Sequence, residues 1–533
     1  MKKEWRVGTI IESNTEYFAT ENEYHVYETD TVKMSDDRYI ALRANDTKDF
    51  NAFVVIKDKV NVTIDFGGAT LIMHGKIQPF LVDSSVNVTV KNCIVTYDRP
   101  PFTEATFVEV TPEYSRLRLN ENCPCRIEDG MIIPYSDTWE TRNLNIKGCF
   151  YQVFDPETCR GCGMGLGVMG NHIELDPDWP FHPRQFTVEA DGDCFILKGN
   201  QRDYYKPGRV LNIAHEARSL SNFFVIDSKN ITLNNYRILA GWGMGFYTYR
   251  TENITLDGFC LTHDETSPCI VTNAADALHS FGTSGNFVIR NSVFEGMIDD
   301  AINIHSNFRT VEHVSGNEIY THLASCEPEA NDLYKVGDKI AVYRGKTMEE
   351  AAQYTILKVE SITETIKKFT VDCQVLSHNE GDLIENLTTN CDVLIENCAF
   401  RKANSHLRLQ SRGKFVIRNC ECELMILLSG DANYWFESGP LTDLTVENCR
   451  FVGDRGQVYI ISEVEATDKA PYYHRNLKFL NNEFDTDTPI FGGAADGIIF
   501  KGNVNTRGLP MTLSLKNCGN VDAEGCTVEN KAE

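Results

Sequence analysis

The chain repeats a short apolar strand, a polar turn and a second apolar step many times. The strands are rich in β-branched residues, which favour extended structure. Within each unbroken run the repeats follow one another at the short, fairly regular spacing of a solenoid protein. The repeats begin at Asn61, Asn87, Asn230, Asn253, Asn286, Asp392, Lys414, Asp443, Asn476 and Gly497. A strand-rich, helix-poor repeat of this length predicts an all-β fold, a right-handed parallel β-helix whose coils stack about 4.8 Å apart.

The polar turns place the same residue types at the same point of successive coils. We expect these asparagines and cysteines to stack as ladders along the solenoid, so the turn cysteines are interpreted as packing residues. Those cysteines are Cys93, Cys398, Cys420 and Cys449. The repeat also generates Asn-x-Thr triplets, which its periodicity explains without glycosylation. The triplets begin at Asn61, Asn87, Asn230 and Asn253.

Two long gaps interrupt the repeat. One gap runs from Asn87 to Asn230, and the other runs from Asn286 to Asp392. Each gap is long enough for an inserted module in addition to one coil. The gaps share an aromatic-Lys-x-Gly step, "YKPG" and "YKVG", which leads into an alternating strand and fits a small antiparallel β-barrel. The predicted segments are N-terminal coils 1–101, a first barrel module 102–218, central coils 219–308, a second barrel module 309–388 and C-terminal coils 389–533.

The composition narrows the partners of such a solenoid. Its 533 residues carry a formal charge of −25, which disfavours nucleic acid and anionic membrane surfaces as partners. No run of about 18 apolar residues predicts a membrane span, and no apolar segment follows the first lysines to form a signal peptide. We therefore expect a cytoplasmic protein, or a secreted or periplasmic one if a leader has been removed.

The cysteines bear on metal binding. Eighteen cysteines without an export signal are expected to be reduced thiols. The "CPC" at Cys123 and Cys125 and the "CRGC" at Cys159 and Cys162 leave zinc open as an alternative. No matching His or Cys knuckle frames them, so the prediction is no metal and no cofactor.

Three aspartates converge when two neighbouring coils are aligned. The segment "ADALH" lies over "DDAIN" with an offset of one coil, so Asp276 stacks on Asp300 and Asp299 projects differently. Stacking like charges one coil apart costs energy and raises the pKa of at least one carboxyl group. Such an arrangement therefore suggests that the carboxyl groups have a function. A turn-capping pair and a calcium site are the alternatives, although calcium would need further oxygen ligands.

Inverting glycoside hydrolysis is the chemistry that this patch favours. The reaction needs a protonated acid at the leaving oxygen and a base on a water behind the sugar, about 6.5–9.5 Å apart. We predict that Asp276 and Asp300 jointly hold and deprotonate the water. Asp299, which points elsewhere, is then predicted to donate the proton as general acid.

Further polar and aromatic residues are candidates for binding the sugar. An aromatic platform beside amides and carboxylates can hold the apolar face and the hydroxyl edge of a sugar ring. One of two arginines on the intervening coil is also expected to pair with the carboxylates, and the sequence leaves open which. The candidates are His279, Asn303 and His305 on the outward face, Arg408 and Arg412, and Asp431, Asn433, Trp435 and Glu437 within "GDANYWFESGP".

Three sequence blocks together resemble glycoside hydrolase family 110, the exo-acting α-1,3-galactosidases. The blocks are "ADALHSFGTSGNFVIRNSVFEGMIDDAINIHSNF", "LRLQSRGKFVIRNC" and "DANYWFESGPLTDLTVENCRF". The resemblance implies a β-helix with inserted barrels, inversion of configuration, no metal, and terminal galactose of blood-group-B-type or related glycans as substrate. The carboxylate spacing is also similar to that of the pectin-cleaving family 28. By that similarity Asp299 is the acid, and Asp276 and Asp300 are the water-activating bases.

Several functions stay open at this point. The first is an inverting exo-α-galactosidase acting on oligosaccharides or glycoconjugates of blood-group-B or linear Galα1-3Gal type. The second is a related glycan-active hydrolase, either an α-N-acetylgalactosaminidase or an enzyme like an endo-polygalacturonase. The third is a non-catalytic glycan-binding solenoid, which the convergent aspartates disfavour. In each case the expected partner is a glycan, and the protein is a possible homodimer.

Overall fold

A parallel β-helix forms the body of the molecule, as the repeat predicts. The computed structural model describes residues 1–42, 49–141, 149–169, 184–199, 201–215, 220–325, 331–345, 347–375, 378–403, 405–430, 432, 435–461 and 472–531. One long sheet stacks the first strands of successive coils. Its strands are Lys2–Glu4, Thr15–Phe18, Glu23–Tyr27, Val60–His74, Val86–Tyr97, Lys229–Ile238, Glu252–Leu261, Ser284–Arg290, Val293–Phe294, Cys391–Glu396, Ala399–Phe400, Lys414–Arg418, Glu421–Cys422, Asp443–Glu447, Arg450–Phe451, His474–Leu480, Glu483–Phe484, Ala495–Lys501, Val504–Asn505 and Gly519–Ala523.

A second parallel sheet stacks the strands that follow in each coil, and it carries the candidate site. Its strands are Asp49–Lys57, Ile77–Asp83, Phe223–Ile226, Phe246–Tyr249, Leu278–Phe281, Ile302–Ser315, His406–Gln410, Met425–Leu428, Val458–Ile460, Ile490–Gly493, Met511–Lys516 and Cys526–Lys531. Val32–Ser35 pairs with this sheet in the antiparallel direction. The short 3-10 segments Glu28–Asp30 and Asp37–Leu42 represent helix in the part of the chain that the structure describes. None of that helix is long and apolar enough to cross a membrane.

The two insertions leave the register of the coils intact. Lys229 lies opposite Val86 in the first sheet, although the whole first insertion separates them along the chain. Across the second gap, Asn286 lies directly opposite Asp392. Each inserted module therefore leaves and re-enters the solenoid without displacing the next coil.

Apolar ladders fill the interior of the solenoid. The rings of Phe80, Phe223 and Phe246 stack in successive coils, with centroids 5.1 and 5.9 Å apart. Leu278 and Ile302 are fully buried in the same core, which is the inward placement expected from the alternation. Burying such side chains contributes about 1.5–3 kcal/mol each.

Asparagine side chains form a ladder along one turn of the solenoid. The Nδ2 of Asn87 donates to Oδ1 of Asn61 at 2.7 Å, and that of Asn230 donates to Oδ1 of Asn87 at 2.8 Å. Asn253 continues the ladder onto Asn230 at 3.0 Å. Asn87 and Asn230 have φ values of 57° and 56°, a left-handed conformation that asparagine adopts at less cost than other side chains.

The turn cysteines pack as the periodicity predicts. Cys398, Cys420 and Cys449 are buried in successive coils, and the thiol of each points at a main-chain carbonyl of its own turn at 3.2–3.3 Å. Cys93 is buried opposite Tyr236 instead. The cysteines whose side chains the structure describes are free thiols. Those ranges hold no group of three or more His, Cys, Asp or Glu side chains arranged to bind a metal ion.

The first inserted module is a closed, mainly antiparallel barrel with a small hairpin. Its barrel strands are Phe102–Val110, Tyr114–Leu119, Cys149–Asp155, Arg160–Met169, Arg184–Asp191, Cys194–Lys198 and Val210–Ala214, and the hairpin is Cys125–Glu128 with Met131–Pro134. A separate apolar cluster, which includes Phe107, Leu117 and Phe195, fills its interior.

The second inserted module is also a closed antiparallel barrel. The solenoid strand Ile302–Ser315 runs directly into it, so the module begins within a strand that also belongs to the candidate site. The other strands are Glu318–His322, Lys339–Tyr343, Glu350–Ser361, Ile366–Val371 and Leu383–Asn386.

Candidate active site

Three neighbouring strands of the second sheet present two columns of polar side chains. One column consists of His279, Asn303 and Arg408, which lie opposite one another in the register. The next column contains His305 and Gln410. The offset of one coil that aligned the first two strands in the sequence is therefore present in the structure. The side chains point away from the solenoid core, as alternation requires.

Asp276 lies at the entrance of the first of these strands and belongs to a buried chain of hydrogen bonds. Its Oδ2 lies 2.6 Å from Nδ1 of His279, whose Nε2 lies 2.9 Å from Nε2 of His305. Nδ1 of His305 donates to the carbonyl oxygen of Ser306 at 2.7 Å. Burial lowers the pKa of His305 to about 4, so its Nε2 carries no proton at neutral pH.

The proton between the two histidines follows from this arrangement. Because Nε2 of neutral His305 is an acceptor, Nε2 of His279 must be the donor. Nδ1 of His279 then shares a second proton with the carboxyl group of Asp276. His279 therefore bonds to Asp276 and to His305 at once, which fixes the orientation of the Asp276 carboxyl group.

Asp300 is buried and kept ionised by two side chains from the next coil. Nε of Arg408 donates to its Oδ2 at 2.9 Å, and Nδ1 of His406 lies 3.6 Å from its Oδ1. Burial alone would raise the Asp300 pKa, but the charges and hydrogen bonds of Arg408 and His406 outweigh it and hold the pKa below its ordinary value. Arg408 is thus the arginine that pairs with a predicted catalytic carboxylate.

Asp299 has a different environment from its neighbour. It is half-buried, whereas Asp276 and Asp300 are buried. Its Oδ1 accepts the main-chain N–H of Asp300 at 3.1 Å, which fixes the carboxyl group beside the strand entrance. Together with the partly exposed side chains of His406 and Arg408, Asp299 forms the open edge of the polar group.

Glu437 reaches the same face from the later segment "WFESG". Its strand, Glu437–Ser438, pairs in the antiparallel direction with Ser306–Asn307. Its Oε1 accepts from Nδ2 of Asn303 at 3.2 Å, and its Oε2 accepts from Nε2 of Gln410. This segment explains why His279, Asn303 and His305, although they face outward, are almost fully buried.

The other predicted sugar-binding residues are distributed differently. Nε of Arg412 donates to Oε2 of Glu385 at 2.7 Å, and its guanidinium lies over the ring of Tyr343. The structure therefore places Arg412 at the junction with the second module and does not bring it to the aspartates. Trp435 is half-buried, and its carbonyl oxygen accepts from Asn307 at 3.2 Å. Asp431 and Asn433 lie outside the described residues.

Sequence reasoning missed two residues of this group, His406 and Gln410. Both belong to the strand that contains Arg408 and share its face by the period of two. That spacing was a usable signal, since one side chain approaches Asp300 and the other bonds to Glu437.

A separate polar cavity of about 570 Å³ lies between the first module and coils N-terminal to the site. His74, Asp98, Arg99, Asn122 and Ser267 are among its lining residues. None of the three predicted catalytic aspartates lines it. The charged side chains of Asp300, Arg408 and Glu437 meet outside this cavity.

Comparison with known proteins identifies curated relatives along most of the chain. No family model matches it. Alpha-1,3-galactosidase A of Bacteroides fragilis is 26% identical over 506 residues, which cover 88% of this chain and 79% of that protein. Alpha-1,3-galactosidase B of Bacteroides thetaiotaomicron is 27% identical over 478 residues, covering 85% and 75% of the two chains.

Solved structures align along nearly the whole chain but with low scores. A family 28 exopolygalacturonase of Yersinia enterocolitica matches with a TM-score of 0.30 and 10% identity, covering 95% of this chain and 80% of that one. The A-module of a mannuronan C-5 epimerase of Azotobacter vinelandii gives 0.29 and 7%, covering 97% and 88%. The parallel β-helix is shown by the register of this chain's own strands. Along most of its length the chain is similar to proteins named alpha-1,3-galactosidase, which confirms the family resemblance predicted from its three motif blocks.

Proposed function

We propose that this protein is an inverting exo-glycosidase that removes terminal α-1,3-linked galactose from oligosaccharides or glycoconjugates. The observation that carries the proposal is that three carboxyl groups on two neighbouring coils have different environments. Asp300 is held ionised by Arg408, Asp276 shares a proton with His279, and Asp299 is half-buried at the open edge. Separating the environments of neighbouring carboxyl groups separates their acid and base roles.

In the proposed reaction, water attacks the anomeric carbon from the side opposite the leaving group. Asp276 and Asp300 together orient that water, and ionised Asp300 takes its proton as the new C–O bond forms. Asp299 gives its proton to the glycosidic oxygen as the old C–O bond breaks. The products are galactose with inverted configuration and the free alcohol of the remaining glycan.

The substrate part of the proposal is supported by the curated relatives. Their names specify α-1,3-linked galactose, and the three motif blocks of this chain resemble that family. The partly exposed side chains of His406 and Arg408, at the open edge beside Asp299, can bond hydroxyl groups of one terminal sugar. Blood-group-B-type and linear Galα1-3Gal glycans are the proposed substrates.

A hydrolysis screen with a matched variant tests the proposal. Wild-type protein should release galactose from a Galα1-3Gal disaccharide. It should release less galactose, or none, from α-1,4-linked and α-1,6-linked disaccharides. It should also release little or no N-acetylgalactosamine from substrates that carry this sugar in α linkage. Asp299→Asn should lower kcat on the disaccharide by about 10³-fold, because general acid catalysis contributes factors of this order. The loss should be smaller on 4-nitrophenyl α-galactoside, whose leaving group needs less protonation.

The control is Asp454→Asn, which removes a carboxylate whose side chain is 88% exposed and should leave both rates unchanged. Equal losses for the two substrates would contradict the acid role of Asp299. Preferential release of N-acetylgalactosamine would replace the proposed substrate, and binding of glycans without hydrolysis would favour a non-catalytic solenoid.

A further inference from the structure

Three polar side chains form a row on the face of the first module that meets the solenoid. Glu104 lies opposite Asn212, and Asn212 lies opposite Gln152, on three adjacent barrel strands. All three are completely buried. Nδ2 of Asn212 donates to Oε1 of Glu104 at 3.3 Å, so the row is internally bonded.

The surroundings of this row are apolar. Phe102, Phe154 and Val210 of the module pack there against Val271 and Ile298 of the solenoid. Hydrogen bonds to a charged group in such an environment are stronger and more demanding in geometry than those at a surface. Main-chain groups that form hydrogen bonds to this row are therefore held in a defined position.

The row bonds to two turns of the solenoid. Glu104 accepts the main-chain N–H of Ile270 on Oε2 at 2.9 Å and that of Val271 on Oε1 at 2.8 Å. Nε2 of Gln152 donates to the main-chain carbonyl of Ile298. Burial raises the pKa of Glu104 to about 7, and the N–H donors of Ile270 and Val271 offset part of this rise. The raised pKa shows that a charged carboxylate is unfavourable at this buried position.

Both turns lead directly to the predicted catalytic aspartates. Ile298 immediately precedes Asp299, and Val271 lies shortly before Asp276. The turns are also bonded to each other, since the N–H of Ile298 donates to the carbonyl of Asn273 at 3.2 Å. The first module therefore makes hydrogen bonds to both of these turns, and it does so from one side of the solenoid.

We infer that Glu104, Asn212 and Gln152 are positioning residues through which the first module sets the relative placement of Asp276 and Asp299. The inference goes beyond the proposed function and rests on it, because the placement matters for the rate only if these aspartates react. The groups do not touch the sugar; they act through the main chain of the two turns. An inserted barrel would then be part of the catalytic geometry and not an appendage.

Two near-isosteric variants and one control test the inference. Glu104→Gln replaces the carboxylate that accepts the main-chain N–H groups of Ile270 and Val271 with an amide. Gln152→Met removes the side-chain donor to the carbonyl of Ile298. The control, Glu109→Gln, changes an exposed carboxylate on the same strand as Glu104. We expect each of the first two to lower kcat on Galα1-3Gal by about tenfold or more, with KM changed less than twofold, whereas the control matches wild type.

Hydrogen exchange measured by mass spectrometry gives a readout that does not depend on the substrate. Peptides covering 270–276 and 298–301 should exchange faster in both variants, while peptides from the C-terminal coils keep the wild-type rate. A purely structural role predicts a lower melting temperature with kcat unchanged, and that result would overturn the inference. If Glu104→Gln does not fold, Gln152→Met decides.

The two proposals fail in distinguishable ways. If wild-type protein hydrolyses no α-galactoside, the proposed function fails. The exchange data still show whether Glu104 and Gln152 hold the two turns in place. If wild-type protein is active and both variants keep its kcat and its exchange rates, the positioning role fails and the proposed function stands.

Discussion

Arg408 supplies the positive charge that keeps Asp300 ionised inside the protein. Its guanidinium bonds to Asp300 and also lies 3.9 Å from Glu437. Removing one partner of a buried ion pair is costly because the other charge is left without compensation. The chemistry assigned to Asp300 as a base therefore depends on a neighbour one coil away.

Arg408→Met should shift the pH profile of kcat/KM. The charges of Arg408 and His406 hold the Asp300 pKa below its ordinary value against burial. Without Arg408 the pKa rises, so the acidic limb should move to higher pH. Initial rates on a Galα1-3Gal disaccharide between pH 3 and 8 would measure the shift.

Arg412→Met is the matched control for that change. It removes an equally long cation that bonds to Glu385 at the second module. We expect it to lower stability while leaving the acidic limb where it is. An identical shift in both variants, or none in Arg408→Met, would show that Asp300 is not the base that limits activity in acid.

At this scale the sequence predicted part of the site. The coil offset was enough to stack Asp276 on Asp300, because the spacing of a parallel ladder is fixed by main-chain hydrogen bonds. The contacts of Glu437 were not predictable, because they depend on a segment folding back across the sheet in the antiparallel direction. Nor could periodicity choose between Arg408 and Arg412, since Arg412 lies beyond the end of its strand.

The coil is the repeating structural element of this molecule. The sequence determines the conformation of its turns as closely as that of its strands. The asparagine ladder combines two requirements, a left-handed main chain and a side chain that both donates and accepts. The repeat in the sequence predicted these turns as well as the coils. The barrels were recognisable mainly as gaps, because their strands carry no period of their own.

Asn230 offers a way to separate the two requirements. Asn230→Gly keeps the left-handed conformation and loses the ladder bonds to Asn87 and from Asn253. Asn230→Ala loses those bonds and also strains the main chain, which costs roughly 1–2 kcal/mol for a residue with a Cβ atom. Urea unfolding should therefore show Asn230→Ala less stable than Asn230→Gly by about 1 kcal/mol.

Equal stability of the two variants would show that the turn relaxes when its side chain is removed. Stability equal to wild type in both would show that the ladder bonds, which are solvent-exposed, contribute nothing measurable. Thr232→Ala, a change on the same strand outside the ladder, serves as the control for any mutation in this coil.

At the scale of the whole molecule, buried neutral histidines contribute to the dependence of stability on pH. His474 is fully buried between the main chains of two coils, where it accepts from the N–H of Leu441 and donates to the carbonyl of Ile461. Burial lowers its pKa to about 4. His305 has a pKa lowered to about 4 for the same reason.

The stability contributed by neutral His474 should disappear in acid. Because the folded pKa lies below the unfolded value, the contribution is complete above about pH 6.5 and is lost as the pH falls towards 4. The difference corresponds to about 3 kcal/mol. Urea unfolding of wild type and His474→Asn at several pH values should show the gap between them narrowing by about this amount. A gap that is constant with pH would contradict the neutral assignment.

The configuration of the released sugar tests the central claim most directly. Inversion requires a water held opposite the leaving group, which is the task assigned to Asp276 and Asp300. Proton NMR of galactose in the first minutes of hydrolysis of Galα1-3Gal, before mutarotation, distinguishes the anomers. The account predicts β-galactose as the first product; α-galactose as the first product would contradict it.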